Sequence, residues 1–141
     1  MFQIHENETG SFQELAHSND VKFGQLSILK INPGCTRGNH YHTRKEEWFC
    51  CIRGKCELHV NNINDGSFKV IIMDGKKREF VLVKPFENHI ITNISNQNHC
   101  ELLTIISEKY DPEEWFFPGE EYVDGTVTGA MKAGMAAYEI R

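Results

Sequence analysis

The chain has 141 residues, 40% hydrophobic and 25% charged, with a formal net charge of -5, seven histidines and five cysteines. That length suits one domain over residues 1–141 with an ordinary core, and the acidic balance excludes a general nucleic-acid partner, which needs clustered Lys and Arg to neutralise phosphates. No apolar run approaches the roughly 18 residues of a membrane span, and the opening MFQIHENETG has neither the basic start nor the apolar centre of a signal peptide. A cytoplasmic protein without membrane contact is expected.

Residues 2–5 and 11–15 carry short extended patterns around the turn-forming Asn7-Glu8-Thr9-Gly10, which fits two strands or one hairpin. After a polar break at residues 17–20, residues 23–31 alternate as a half-buried strand does. Leu26 and Ile28 take one face; Gln25, Ser27, Leu29 and Ile31 take the other, which is polar enough to line a pocket. Asn32-Pro33-Gly34 is a strong turn, because proline presets one corner and glycine admits positive φ at the next.

Further strands are expected at 48–52, 56–60, 68–73, 78–83, 89–94 and 100–107, joined by turns at 53–55, 61–67, 74–77 and 95–98. Even spacing and almost no helical periodicity before residue 110 indicate an all-β sandwich or barrel, with a jelly roll suiting best. Asp111-Pro112-Glu113-Glu114 has the proline and acids of a helix N-terminus, stopped by Pro118-Gly119. Trp115-Phe116-Phe117 packs inside the barrel or against a neighbouring subunit, and residues 126–141 fit a short helix, an arm across a partner, or a disordered tail.

The run GCTRGNHYHTRKEEWFCCIRG, residues 34–54, concentrates the chemistry. His40 and His42 are two apart, so on an extended strand they face the same side about 7 Å apart and reach one ion together. Four residues then allow a tight turn that brings Glu47 back toward the same point, and His89 opens a β-branched strand downstream. Cys51 shares the parity of Glu47 and is expected to pack; Cys35, Cys50, Cys56 and Cys100, without CxxC spacing, read as reduced cysteines, mostly core residues. His59 lies outside the constellation and is read as structural or exposed. Arg37 is the better placed cation for an anionic ligand, since a guanidinium grips phosphate bidentately, while Arg44 and Lys45 read as solvated turn residues.

His40-x-His42, Glu47 and His89 in this order, with Pro33-Gly34 before them, resemble the two motifs of the cupin superfamily. The likeness runs over roughly residues 9–110, leaving a C-terminal extension at 111–141. It is nearest to the small cupins of bacterial polysaccharide biosynthesis, in particular the cupin domain attached to a reductase domain in capsular enzymes that process UDP-amino-sugars. A wider likeness is to the nucleotide-sugar 3,4-ketoisomerases, which share the Arg37-Gly38 pair. The resemblance implies a double-stranded β-helix and a divalent metal held by His40, His42, Glu47 and His89, with Zn²⁺ first and Fe²⁺, Ni²⁺ or Mn²⁺ as alternatives.

It further implies a nucleotide-linked 4-keto sugar as substrate, epimerised or isomerised by proton abstraction beside the carbonyl. Arg37 would bind the diphosphate, and Tyr41 stands near enough in sequence to move a proton although alternation turns it outward. Two other functions share these residues: a metal-dependent dioxygenase, and a sugar-binding cupin without turnover. A homodimer is expected by analogy with other jelly rolls, and a separate reductase is an expected partner. One departure stands out: the glycine of the second cupin motif is missing, with Phe86 and Glu87 in its region.

Overall fold

The computed structural model describes residues 3–118, together with the backbone of two short paired strands at Tyr122–Val123 and Thr126–Val127. An exposed hairpin comes first, β1 (Ile4–Asn7) against β2 (Gly10–Gln13). Its turn is made by Asn7, whose Oδ1 accepts the Thr9 N–H at 2.8 Å.

Eight strands form the barrel: β3 (Gln25–Ile31), β4 (Thr36–His40), β5 (Glu47–Arg53), β6 (Lys55–Asn62), β7 (Phe68–Asp74), β8 (Phe80–Val83), β9 (Glu87–Asn93) and β10 (Cys100–Ile106). They pair antiparallel in two four-stranded sheets, ordered β3-β10-β5-β8 and β4-β9-β6-β7. The chain crosses repeatedly between the sheets, so strands distant in sequence become neighbours, as in the expected all-β jelly roll.

Alternation decides what each strand buries. On β3, Gln25, Ser27, Leu29 and Ile31 turn inward while Leu26 and Ile28 stay exposed. Between the sheets, Ile31, Phe49, Cys51, Leu58, Val60, Ile91 and Leu102 form one core, each large aliphatic side chain contributing about 1.5–3 kcal/mol by its removal from water. Strand β5 is buried on both faces: Phe49 and Cys51 point into the core, while Trp48 shares a wall with Leu15, Val21 and Leu82 from the segment outside it.

Two boundaries differ from the sequence expectation for local reasons. Strand β8 starts at Phe80 because residues 74–78 curl into a turn, the Lys77 and Arg78 N–H groups both donating to the Asp74 carbonyl at 3.0 and 3.1 Å. The helix start at 111–114 amounts to one 3-10 turn, Pro112–Glu114, N-capped by the Asp111 carboxylate. Beyond it the chain returns to extended backbone at Trp115, and Phe116 bonds Tyr41 in both directions, at 2.8 and 3.1 Å. That segment therefore folds onto its own barrel. The expectation for residues 126–141 lies outside the described residues except for the backbone of Thr126–Val127.

Candidate metal centre

His40 ends β4, His42 follows two residues later, Glu47 opens β5 and His89 lies near the start of β9. His40 and His89 are cross-strand partners, reached through a bulge between Gly38 and His40. Gly38 makes that register possible: its φ is 98°, and a Cβ there would stand 2.6 Å from the His89 carbonyl oxygen. Only glycine lets β4 approach so closely. The three rings gather with centroids 4.5 Å (His40–His89), 5.1 Å (His40–His42) and 5.8 Å (His42–His89) apart. With Glu47 they form a buried group whose ligating atoms all lie within 4.8 Å of one another and could hold a metal ion.

The outer contacts of two imidazoles set the direction of their lone pairs. His42 Nδ1 bonds the Glu114 carbonyl, and His89 Nδ1 bonds the Glu87 carbonyl at 3.1 Å. A carbonyl only accepts, so each neutral ring carries its proton on Nδ1 and turns the Nε2 lone pair inward. Those Nε2 atoms are buried and sit 2.8 and 3.4 Å from the Glu47 oxygens, where a neutral ring has no proton to give them. Lone pairs aimed past a carboxylate are what a divalent cation satisfies. Three imidazoles and one carboxylate suit Zn²⁺ and equally Fe²⁺, Ni²⁺ or Mn²⁺.

Charge is unevenly divided among the four. Burial holds the His40 pKa well below its usual value, with His89 and His42 adding to the effect. Burial also opposes ionisation of Glu47, but His42 and His89 override it and keep the carboxyl well below the ordinary range. For His89 burial works against a charge, and Glu47 prevails and raises the pKa.

A cavity of about 240 Å³ reaches the cluster, and its wall includes Arg37, Ser27, Thr104 and Trp115 beside His40, Glu47 and His89. Tyr41 is not part of that wall. Its ring lies 5.5 Å from Phe116 and 6.4 Å from Phe86, and burial raises its pKa.

Two charged residues near the centre, Lys45 and Glu114, carry no signal of burial in the sequence, and Trp115, expected inside the barrel or against a neighbour, comes to the centre itself. Lys45, expected in solvent, is only 2% exposed and places Nζ 5.7 Å from the centre of the Tyr110 ring, while Arg44 is exposed as expected and pairs with Glu108 and Asp111 at 2.8 and 3.0 Å. Burial lowers the Lys45 pKa. Glu114 is buried beneath the turn at 43–45, and Trp115 stacks on His40 at 4.2 Å. In sequence Glu114 sits in an acidic run that reads as an exposed helix start, so nothing local marks it as buried.

Fold and cluster together define a cupin. More particularly, the chain belongs to the polysaccharide biosynthesis C-terminal domain family, whose model matches residues 5–115. It is 36% identical over 110 residues to the UDP-2-acetamido-2,6-beta-L-arabino-hexul-4-ose reductase of Pseudomonas aeruginosa, covering 78% of this chain and 29% of that protein. The capsular polysaccharide assembling protein CapF of Staphylococcus aureus superposes with a TM-score of 0.64 at 27% identity, over 83% of this chain and 32% of CapF. ChmJ, a 3'-monoepimerase from Streptomyces bikiniensis solved with dTDP-quinovose, gives a TM-score of 0.72 at 18% identity, over 81% of this chain and 65% of ChmJ; at that identity the likeness shows the fold alone. The chain spans about a third of the length of the first two relatives.

Proposed function

We propose that this chain is a metal-binding cupin that acts on a nucleotide-linked 4-keto sugar in surface polysaccharide biosynthesis, as an epimerase or isomerase. The observation that carries it is the convergence of His40, His42, Glu47 and His89, with two Nε2 lone pairs turned inward, on a cavity that Arg37 also lines. The relative named for a UDP-linked hexul-4-ose supports the same substrate class. A 4-ketone acidifies the protons on its neighbouring carbons, so the reaction needs a base and a positive partner for the enolate oxygen. A bound divalent ion, Zn²⁺ foremost, supplies Lewis-acid polarisation of that carbonyl.

The chain's own residues then divide the remaining work. His40, His42 and His89 as ligands cannot also serve as base, so the proton passes through another group. Arg37 binds the diphosphate at the cavity. Tyr41 can take a proton-transfer part only if its ring leaves Phe86 and Phe116. A homodimer is part of the proposal, supported by exposed apolar residues on the edge strands, Leu26 and Ile28 on β3 and Phe68, Val70 and Ile72 on β7. A separate reductase acting on the same sugar is also proposed.

The test is incorporation of solvent deuterium into a panel of UDP- and dTDP-4-keto sugars, with elemental analysis of the same preparation. Exchange beside the carbonyl that disappears on chelation and returns with Zn²⁺ is expected. Absence of exchange across the panel, with metal bound, would replace the enzyme by a sugar-binding cupin.

A further inference from the structure

Glu114 lies 72 residues from His42 in the chain and is 2% exposed, so its charge must be matched inside the protein. One carboxylate oxygen accepts the main-chain N–H groups of Thr43 at 2.8 Å, Arg44, and Lys45 at 3.3 Å; the other accepts the Thr43 hydroxyl at 3.0 Å. Three successive N–H groups converging on one oxygen make an anion nest, and this nest is the turn that joins His42 to Glu47. The main-chain carbonyl of the same residue takes the Nδ1 proton of His42. The next side chain, Trp115, stacks on His40 with 25° between ring planes.

We propose that Glu114 is a positioning residue for the metal centre. Its carboxylate fixes the turn between two ligands, and its carbonyl thereby stays where it selects the His42 tautomer that leaves Nε2 for the ion. This rests on the metal-binding reading above, and it adds that affinity for the ion is set by a segment outside both ligand motifs. Glutamine at 114 keeps one oxygen for the N–H groups of the nest but loses the charge and puts an amide NH2 beside the Thr43 hydroxyl and the Arg44 guanidinium, which lies 3.7 Å from the second carboxylate oxygen; alanine leaves the nest empty.

The experiment compares Zn²⁺ affinity, by competition with a chromophoric chelator, in the wild type, Glu114→Gln, Glu114→Ala and Asp111→Ala. Asp111→Ala removes the N-cap of the 3-10 turn and one partner of the exposed Arg44 side chain, at 3.0 Å, loosening the same segment while Glu114 and the three main-chain N–H groups it accepts from stay in place. Loss of a ligand-orienting contact weakens metal binding about 10–100-fold, so Glu114→Gln should fall near the lower end and Glu114→Ala near the upper, with Asp111→Ala close to wild type. A lowered melting temperature with unchanged Zn²⁺ affinity would make Glu114 a folding residue and overturn the proposal, as would equal losses in Asp111→Ala and Glu114→Gln. Should Glu114→Ala fail to fold, Glu114→Gln decides. If the wild type takes up no divalent ion, the metal reading fails, and ¹⁵N shifts of His42 in the metal-free proteins still decide the positioning role. A fixed Nδ1–H tautomer that becomes mixed in Glu114→Gln supports it; the same tautomer in both overturns it.

Discussion

The barrel interior holds two clusters of metal-ligating residue types, and β5 contributes to both. Glu47 opens the strand among three imidazoles, while Cys51 lies further along among Cys56 and Cys100. All three thiols are buried at 1% exposure or less. Their polarity is turned to the main chain: Cys51 Sγ lies 3.4 Å from the carbonyls of Arg53 and Gly54. His42 and His89 direct their protons outward to main-chain carbonyls and their lone pairs toward a common point beside a cavity. Residue type therefore does not make the site; the direction in which the outer contacts turn each donor does. Among the described residues, only the histidine and glutamate group brings its ligating atoms together as a candidate ion site.

The sharpest test of that contrast is a pair of variants on the two clusters. His42→Ala should abolish bound zinc and catalytic exchange together, while Cys51→Ala leaves zinc content at the wild-type level; elemental analysis of both checks it, and zinc lost from Cys51→Ala would dissolve the distinction. Next in size is Gly38→Ala. Its Cβ must displace the His89 carbonyl, 2.6 Å away, which should cost about 1–3 kcal/mol as an overpacking change and weaken zinc binding; unchanged urea unfolding and affinity would show that β4 has room to shift.

A pH comparison reaches the electrostatics of the first cluster alone. In the metal-free protein, His40 has a folded pKa below its unfolded value, so below about pH 6.5 the unfolded chain takes up a proton that the folded chain refuses. Its presence costs stability as pH falls. His89 has the opposite sign: its raised folded pKa gives stability that is fully present below the unfolded value and lost as pH rises through the folded one. Replacing His40 by Asn should thus favour the variant over wild type increasingly from about pH 7.5 to pH 5.5, by at most ~1.4 kcal/mol per pH unit for one proton. A difference independent of pH would remove the assigned shift.

Arg37→Ala should raise the substrate KM about tenfold, on the scale of a hydrogen bond to a charged group, with kcat changed less; an unchanged KM would take the diphosphate away from it. The smallest effect is expected at Phe86. This residue has φ of 67°, held by its N–H on the His42 carbonyl at 2.6 Å and by its own carbonyl, which accepts from Ile63 at 2.8 Å. Phe86→Gly relieves roughly 1–2 kcal/mol of left-handed strain but adds backbone freedom to the unfolded chain and loses the ring's packing on Tyr41. Unfolding should shift by no more than ~1 kcal/mol, and zinc affinity should hold.

Phe86 also shows how far the sequence could be read. In the region where the motif glycine is missing, the backbone at Phe86 takes up the left-handed conformation that glycine favours. Strand alternation made the two faces of β3 legible, and the His40-x-His42 spacing gave a pair of candidate ligands, since both depend on the local run of the chain. Lys45 and Glu114 were illegible for the converse reason. Each is charged, lies in a polar stretch, and is buried only because residues 43–45 and 111–116 meet across the fold. Tyr41 shows both sides: its outward turn follows from alternation, whereas its aromatic neighbours come from across the fold, Phe116 from the returning tail and Phe86 from the turn before β9.

Glu47 belongs to one sheet of the sandwich, whereas His40 and His89 belong to the other. An ion gripped by all of them would be a rivet through both layers, so its occupancy and the stability of the fold would be linked. By mass action, free zinc at about a thousand times its dissociation constant would add ~4 kcal/mol to the folded state. The melting temperature would then climb with the logarithm of zinc concentration and plateau under excess chelator, making a simple thermal scan a gauge of how tightly the two layers are pinned.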